Sequence, residues 1–148
     1  MPKQIVVFKL NNEDFCVDIN QVVEIIRLQT IIKVPDAPSF VEGITNLRGT
    51  VIPIIDLKKR FNLPLSEKNE NNRIIVVNVT ERPVGFIVDS VTEVLRVEDS
   101  TIQEAPDIIK GIGREYITSI INLNGRLIIN LDLHKILTEK EKKEIEHI

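Results

Sequence analysis

The chain has 148 residues, 43% hydrophobic and 28% charged, with 22 acids against 19 bases and a net charge of -3. That length fits one domain, or two small units too small to stand apart, and the balance is that of a soluble globular protein rather than a disordered chain. Negative charge spread along the sequence argues against a protein that works by neutralising phosphates, and the single cysteine, Cys16, excludes an internal disulfide and suits a reducing cytoplasm.

Met1-Pro2-Lys3-Gln4 leads into Ile5 to Leu10, an apolar run that Lys9 interrupts and that is too short for an export signal. No later stretch approaches the roughly 18 apolar residues of a spanning helix, so direct membrane insertion is not expected. Ile5 to Leu10 and Phe15 to Asp18 flank the polar turn Asn11-Asn12-Glu13-Asp14, which predicts an antiparallel hairpin. Asn20 to Ile26 reads as a helix of one or two turns capped by Asn20, although its β-branched residues suit a strand equally well. Val34 to Pro38 must be loop, because Pro35 and Pro38 each remove a donor and fix φ.

Beyond Gly43, Ile44 to Leu47 and Thr50 to Ile55 read as strands around Arg48-Gly49, and Asp56 is placed to cap a short helix over Leu57 to Phe61. Ser66 to Asn72 carries no apolar residue and reads as a flexible surface connection. Arg73 to Val79, Val84 to Val88, Ile117 to Leu123 and Arg126 to Leu131 read as strands, and a C-terminal helix is expected over 133–147 with Glu139 to Glu144 facing water.

The chain contains a duplication. Ile44-x-Asn46-Leu47-x-Gly49 followed by Asp56-Leu57-x-Lys59 recurs at one constant offset as Ile120-x-Asn122-Leu123-x-Gly125 followed by Asp132-Leu133-x-Lys135. Val17-Asp18 and Glu24-Ile25-Ile26 reappear, with small gaps, as Val88-Asp89 and Glu93-Val94-Leu95. Two similar halves follow, and their differences are informative. Asn and Gly at a tight hairpin have a structural explanation in positive φ. Arg48 stands where the other half has Asn124, and a turn has no backbone need for a guanidinium, so Arg48 is either a solvated charge or a partner anchor.

Catalytic constellations do not emerge. Asp56 and Asp132 could be imagined as a carboxylate dyad shared between the halves, but Leu57 and Leu133 follow them and open amphipathic turns, so helix capping explains both. Asp18 and Asp89 read as strand ends or caps. His134 and His147 lack metal-ligand spacing and read as surface histidines, while Cys16 lies between Phe15 and Val17 like a core thiol. Gly111-Ile112-Gly113-Arg114 lacks the third glycine of a dinucleotide loop, so neither cofactor nor metal is expected. A small-barrel binder of single-stranded nucleic acid would need a basic groove with stacking aromatics, and one Tyr, no Trp and five Phe do not supply it.

Phe15-Cys16-Val17-Asp18, Val22-Val23-Glu24-Ile25, the run from Pro35 to Gly49 containing Asn46-Leu47-Arg48-Gly49, and Val51 to Leu57 together resemble the CheW family of bacterial chemotaxis coupling proteins. Val84 to Val91 and Gly125 to Asp132 are similar to that family's second half. The resemblance implies a mostly β fold of two intertwined five-stranded SH3-like barrels sharing a core, with short helices. It would be one domain over 1–148, with a first subdomain over roughly 16–72 plus packing from the termini, a second over roughly 73–132, and the C-terminal helix.

It further implies a non-enzymatic cytoplasmic scaffold that joins the SH3-like regulatory domain of the histidine kinase CheA to the cytoplasmic tips of methyl-accepting chemotaxis receptors in membrane-associated arrays. The receptor surface is expected in the groove between the barrels, at Val22, Glu24, Gly43 and Arg48. Kinase contact is expected on apolar surface of the first barrel, at Val6, Val17 and Val23, and a second-barrel contact extends the array. Core packing is the competing explanation for each of those valines, and exposure decides between the two.

Overall fold

The computed structural model describes residues 2–106 and 115–146. Gly111 to Arg114 and His147 therefore lie outside the described residues. The expected hairpin forms from β1 (Lys3–Leu10) and β2 (Glu13–Asp18), turning on Asn11 and Asn12 at φ of 50° and 70°. Asparagine tolerates this left-handed backbone better than most residues. The chain then forms β3 (Val22–Arg27), β4 (Val41–Leu47), β5 (Thr50–Asp56), α1 (Leu57–Arg60), β6 (Arg73–Val79) and β7 (Arg82–Val88). It continues as β8 (Ser90–Val97), β9 (Ile102–Gln103), β10 (Ile117–Leu123), β11 (Arg126–Leu131) and α2 (Glu139–Ile145).

Two sheets result, in the orders β3-β6-β7-β5-β4 and β8-β1-β2-β11-β10-β9. They match strand for strand: β3 with β8, β6 with β1, β7 with β2, β5 with β11 and β4 with β10. Each contains one parallel pair, β5 with β7 and β11 with β2, and each has a bulge at equivalent places, between Val41 and Gly43 and between Ile117 and Ser119. The second sheet has six strands rather than the expected five, because β9 adds two residues alongside β10.

Sheet membership divides the chain elsewhere than at residues 72 and 73. β3 to β7 (22–88) make one sheet, while β1 and β2 leave their sequence neighbours and join β8 to β11 in the other. The reason is that β6–β7 and β1–β2 play the same part in their respective sheets, so the duplicated unit is rotated along the chain relative to its sequence repeat.

The first sheet curls until its edges are tied together. In the first barrel the segment after β3 returns to β4: Ile32 and Ile44 exchange backbone hydrogen bonds at 2.9 and 2.8 Å, and Thr45 Oγ1 donates to the Thr30 carbonyl at 2.8 Å. Inside this barrel pack Leu47, Ile52, Ile54, Ile74, Val76 and Ile87, and inside the other Ile5, Val7, Cys16, Val97, Ile121 and Ile128. The opposite faces of the same strands meet in a third cluster common to both barrels, containing Val6, Phe8 and Val17 from one sheet and Ile75, Val77 and Phe86 from the other. Strands buried on both faces read as continuous apolar runs, which is why Ile5–Phe8 and Ile74–Val77 lack alternation. A stack from Phe8 to Phe15, Phe61 and Tyr116, with centroids 6.0, 6.4 and 5.1 Å apart, crosses this shared core.

Two helix expectations change. The segment after Asn20 is strand β3, preceded by one 3-10 turn (Ile19–Gln21) that Asp18, not Asn20, caps through Asn20 N at 2.9 Å. Pairing with β6 from Val22 to Arg27 overrides any local helical tendency, and the β-branched residues fit the pleat. At the other end, 133–147 is not one helix. Asp132 caps a 3-10 turn over Leu133–Lys135, buried Ile136 and Leu137 follow, and Thr138 opens α2 with a capping box to Glu141. Ile145 anchors α2 in the shared core, while Glu139, Lys140 and Lys143 face water. Asp56 caps α1 as expected, accepting from Lys58 N at 3.0 Å. Ser66 to Asn71 is exposed, but the connection is fastened at its end, where Asn72 is buried and donates to the Asp89 carbonyl.

Candidate functional site

The β4–β5 hairpin turns on Arg48 and Gly49, at φ of 50° and 88°, and its twin β10–β11 on Asn124 and Gly125, at 52° and 92°. Positive φ at both central residues is the geometry of a two-residue hairpin that matches strand twist. In each turn the asparagine side chain three residues before the glycine accepts the glycine N–H: Asn46 from Gly49 at 2.8 Å, Asn122 from Gly125 at 2.9 Å. Hairpin chemistry therefore accounts for Asn46, Gly49 and their twins, and Asn124 suits the left-handed position. Arg48 does not suit it.

The Arg48 guanidinium reaches across to Glu24 on β3, the opposite edge of the same sheet, and Nη2 donates to Oε2. Two of the four expected receptor residues thus meet as an ion pair that spans the seam where the first barrel closes. Its carboxylate is partly sheltered and its arginine open to solvent, at 27% and 68% side-chain exposure. The hydrogen bond and charge of Glu24 raise the Arg48 pKa further above its ordinary value, so this rim carries a fixed cation.

Gly43 has its own physical reason. A Cβ there would stand 2.4 Å from the Ile32 carbonyl oxygen and 2.7 Å from Ile31 Cγ2, so the close approach of the returning segment that closes the barrel requires glycine. Val22 is half-buried against the shared core. Gly43 and Val22 hold the edges in place, and Arg48 and Glu24 present polar groups beside them.

The three expected kinase residues separate. Val6 and Val17 face one another across β1 and β2 in the shared core, 1% and 0% exposed. They are core residues of the other barrel, and no docking partner reaches them on the folded chain. Val23 is 52% exposed, and its strand neighbour Ile25 is 37% exposed, so β3 presents apolar surface to solvent. Sequence patterning could not separate these valines, because all three stand in apolar runs.

The second barrel holds a cluster that was not anticipated. Arg126, at the foot of β11, donates to Asp14 Oδ2 at 2.9 Å and to both Glu93 oxygens at 3.3 and 3.2 Å, and Lys9 also reaches Asp14 at 2.8 Å. Glu93 is the repeat partner of Glu24, so its sequence match was visible; the arginine stands two positions later, on the first strand residue after the turn instead of in the turn itself. The Arg126 hydrogen bond holds the Asp14 carboxyl below its usual value, with Lys9 assisting and burial opposing. Beside this cluster Ile120, Leu127 and Ile129 line a cleft of about 350 Å³ with Glu13, Gln103 and Pro106 at its rim.

Among the described residues no group of three or more His, Cys, Asp or Glu side chains is arranged to hold a metal ion. Cys16 is buried and its thiol pKa is pushed up to about 12, chiefly by burial with help from the Asp18 charge. Asp56 and Asp132 are occupied as caps, and His134 is exposed. No helix among the described residues is long and apolar enough to cross a membrane.

Comparison with known proteins matches the CheW-like domain family over residues 4–141. A chemotaxis protein CheW of Treponema pallidum is 36% identical over 98% of this chain and 88% of its own length, and that of Bacillus subtilis 33% identical over 96% and 90%. The crystal structure of the scaffolding protein TtCheW from Thermoanaerobacter tengcongensis superposes with a TM-score of 0.83 at 37% identity, covering 95% of this chain and 91% of that one.

Proposed function

The chain belongs to the CheW family and is a chemotaxis adaptor rather than an enzyme; from that premise we propose that it couples the cytoplasmic tips of methyl-accepting receptors to the histidine kinase CheA. The observation that carries the receptor half of this reading is Arg48. Its backbone conformation suits asparagine better, its twin position has asparagine, and its charge is held at the rim of the barrel seam by Glu24. A helical receptor tip laid along this seam would bury apolar surface near Val22 and be oriented by the Arg48–Glu24 pair, with Gly43 keeping the seam closed.

On the kinase side, Val23 and Ile25 on β3 offer exposed apolar surface of the first barrel, which fits an SH3-like partner domain. Val6 and Val17 are withdrawn from this role because they are core. The Leu127 cleft supports a further contact on the second barrel that would extend an array. In this reading the protein works from the cytoplasm and reaches the membrane through its receptor partner.

Capture experiments with purified receptor cytoplasmic domain and purified kinase test the proposal. Wild-type protein is expected to retain both; capture of neither ends the adaptor reading. Arg48→Ala is expected to lose receptor while keeping kinase, and normal receptor capture by that variant would remove the seam from the site.

A further inference from the structure

Lys58, the second residue of α1, is buried, with a side chain 5% exposed. Its ammonium has three protons and meets three acceptors: Ser66 Oγ at 2.7 Å, Asp89 Oδ1 at 2.8 Å and Asn11 Oδ1 at 3.2 Å. These come from separate parts of the fold. Asn11 lies in the β1–β2 turn of the second barrel, Ser66 in the connection that follows α1, and Asp89 is the single residue between β7 and β8, where the chain leaves the first barrel for the second.

Asp89 is itself held from several sides. Its other carboxylate oxygen accepts Asn11 N at 2.8 Å, its N–H donates to the Lys9 carbonyl at 3.0 Å, and its carbonyl accepts from Asn72 at 3.1 Å. The earlier crossover, from β2 to β3, is built differently. The repeat places exposed His134 where Lys58 stands, and the tie is the Gln21 amide, which donates to Asp132 at 2.9 Å and accepts Leu133 N at 3.0 Å.

We propose that Lys58 is an inter-barrel latch: its buried ammonium, held between Asp89 and Asn11, fixes the two barrels at one mutual angle. A buried ammonium is tolerated only while its partners surround it, so a rotation that draws α1 away from Asn11 and Asp89 leaves a charge stranded out of water. A neutral amide such as Gln21 exchanges its partners for water at far smaller cost, so its crossover exerts less control over the angle. This latch is independent of the adaptor role and of every docking surface described above.

Inter-barrel distances measured between spin labels test it. Cysteines placed at exposed Gln29 in the first barrel and exposed Gln103 in the second can be labelled while Cys16, buried with its thiol pKa pushed up to about 12, stays silent. Asp89→Asn is expected at least to double the width of the distance distribution. Lys58→Met combined with Asp89→Asn should narrow it again, because the stranded charge is gone, and Gln21→Ala should keep the wild-type width. A wild-type width in Asp89→Asn, no narrowing in the double variant, or equal broadening in Gln21→Ala each overturns the latch. Should Asp89→Asn not fold, Asn11→Ala, which removes one acceptor and leaves the ion pair, is expected to broaden the distribution to a lesser extent, and an unchanged width there also overturns it.

Discussion

The β4–β5 and β10–β11 hairpins share turn geometry, asparagine caps and bulge positions, and differ in where they keep their arginine. In the first, Arg48 sits at the exposed tip and makes one ion pair with Glu24. In the second, Arg126 is the first strand residue after the turn and is held between Asp14 and Glu93, while the turn itself carries a plain Asn124. A clamped arginine on two acids serves the barrel it closes, whereas an exposed arginine in a backbone conformation that disfavours it contributes little to stability and is available to a partner. The second barrel is the control for the first.

The largest break in this comparison is expected at the matched bulges. Gly43→Ser should destabilise the fold by about 3 kcal/mol, because the added Cβ meets the Ile32 carbonyl and rigid backbone must move. The reciprocal Ser119→Gly, at the position whose hydroxyl accepts from Asn130, should cost about 1 kcal/mol. Denaturant unfolding of both variants checks this, and equal losses would mean that the two bulges are not distinguished by the returning Ile31–Ile32 segment.

Next in size is Arg126→Ala, expected to lose about 1–2 kcal/mol, since Asp14 and Glu93 lose their shared cation while part of the site remains open to water. The same cluster predicts a pH dependence. The folded-state pKa of Asp14 lies below its unfolded value, so its contribution is present above about pH 4 and is lost as pH falls through the depressed folded value. Acid titration of stability should therefore be shallower in Arg126→Ala than in wild type, and identical slopes would contradict the assignment.

Smaller still is Val23→Asp, expected to change stability by under about 0.5 kcal/mol while reducing kinase capture, because the side chain is half exposed on an edge strand. Arg48→Ala should have the smallest effect on unfolding and the clearest on receptor capture, with Glu24→Gln reproducing it. A loss of stability in Arg48→Ala as large as that in Arg126→Ala would erase the distinction between the two hairpins.

Much of the fold was legible in the residues. Strand limits such as Arg73–Val79, Ile117–Leu123 and Arg126–Leu131 follow from apolar runs between turn residues, and Asp56 and Asp132 announced themselves as caps. The helix expected after Asn20 is strand β3 instead, because its local composition supports either state and the pairing with β6 that decides lies some fifty residues away. β8 went unread as a strand although its Glu93-Val94-Leu95 matched β3 in the repeat, so the uncertainty at one copy carried over to the other. Of the site, Arg48 is marked by its failure to match Asn124, whereas Arg126 stands opposite Thr50 at a strand position where either residue is ordinary, and Val6, Val17 and Val23 cannot be told apart.

What the sequence determined by itself was a duplicated, mostly β chain with paired hairpins and one turn arginine whose twin position holds asparagine, because turn residues, caps and apolar runs are governed by local stereochemistry and burial. Only the tertiary structure decided which strands share a barrel, which valines are inside, and that Lys58, Asn11 and Asp89 converge. Those depend on the curl of two sheets around a common core, and contacts between segments far apart in sequence leave no local pattern to read.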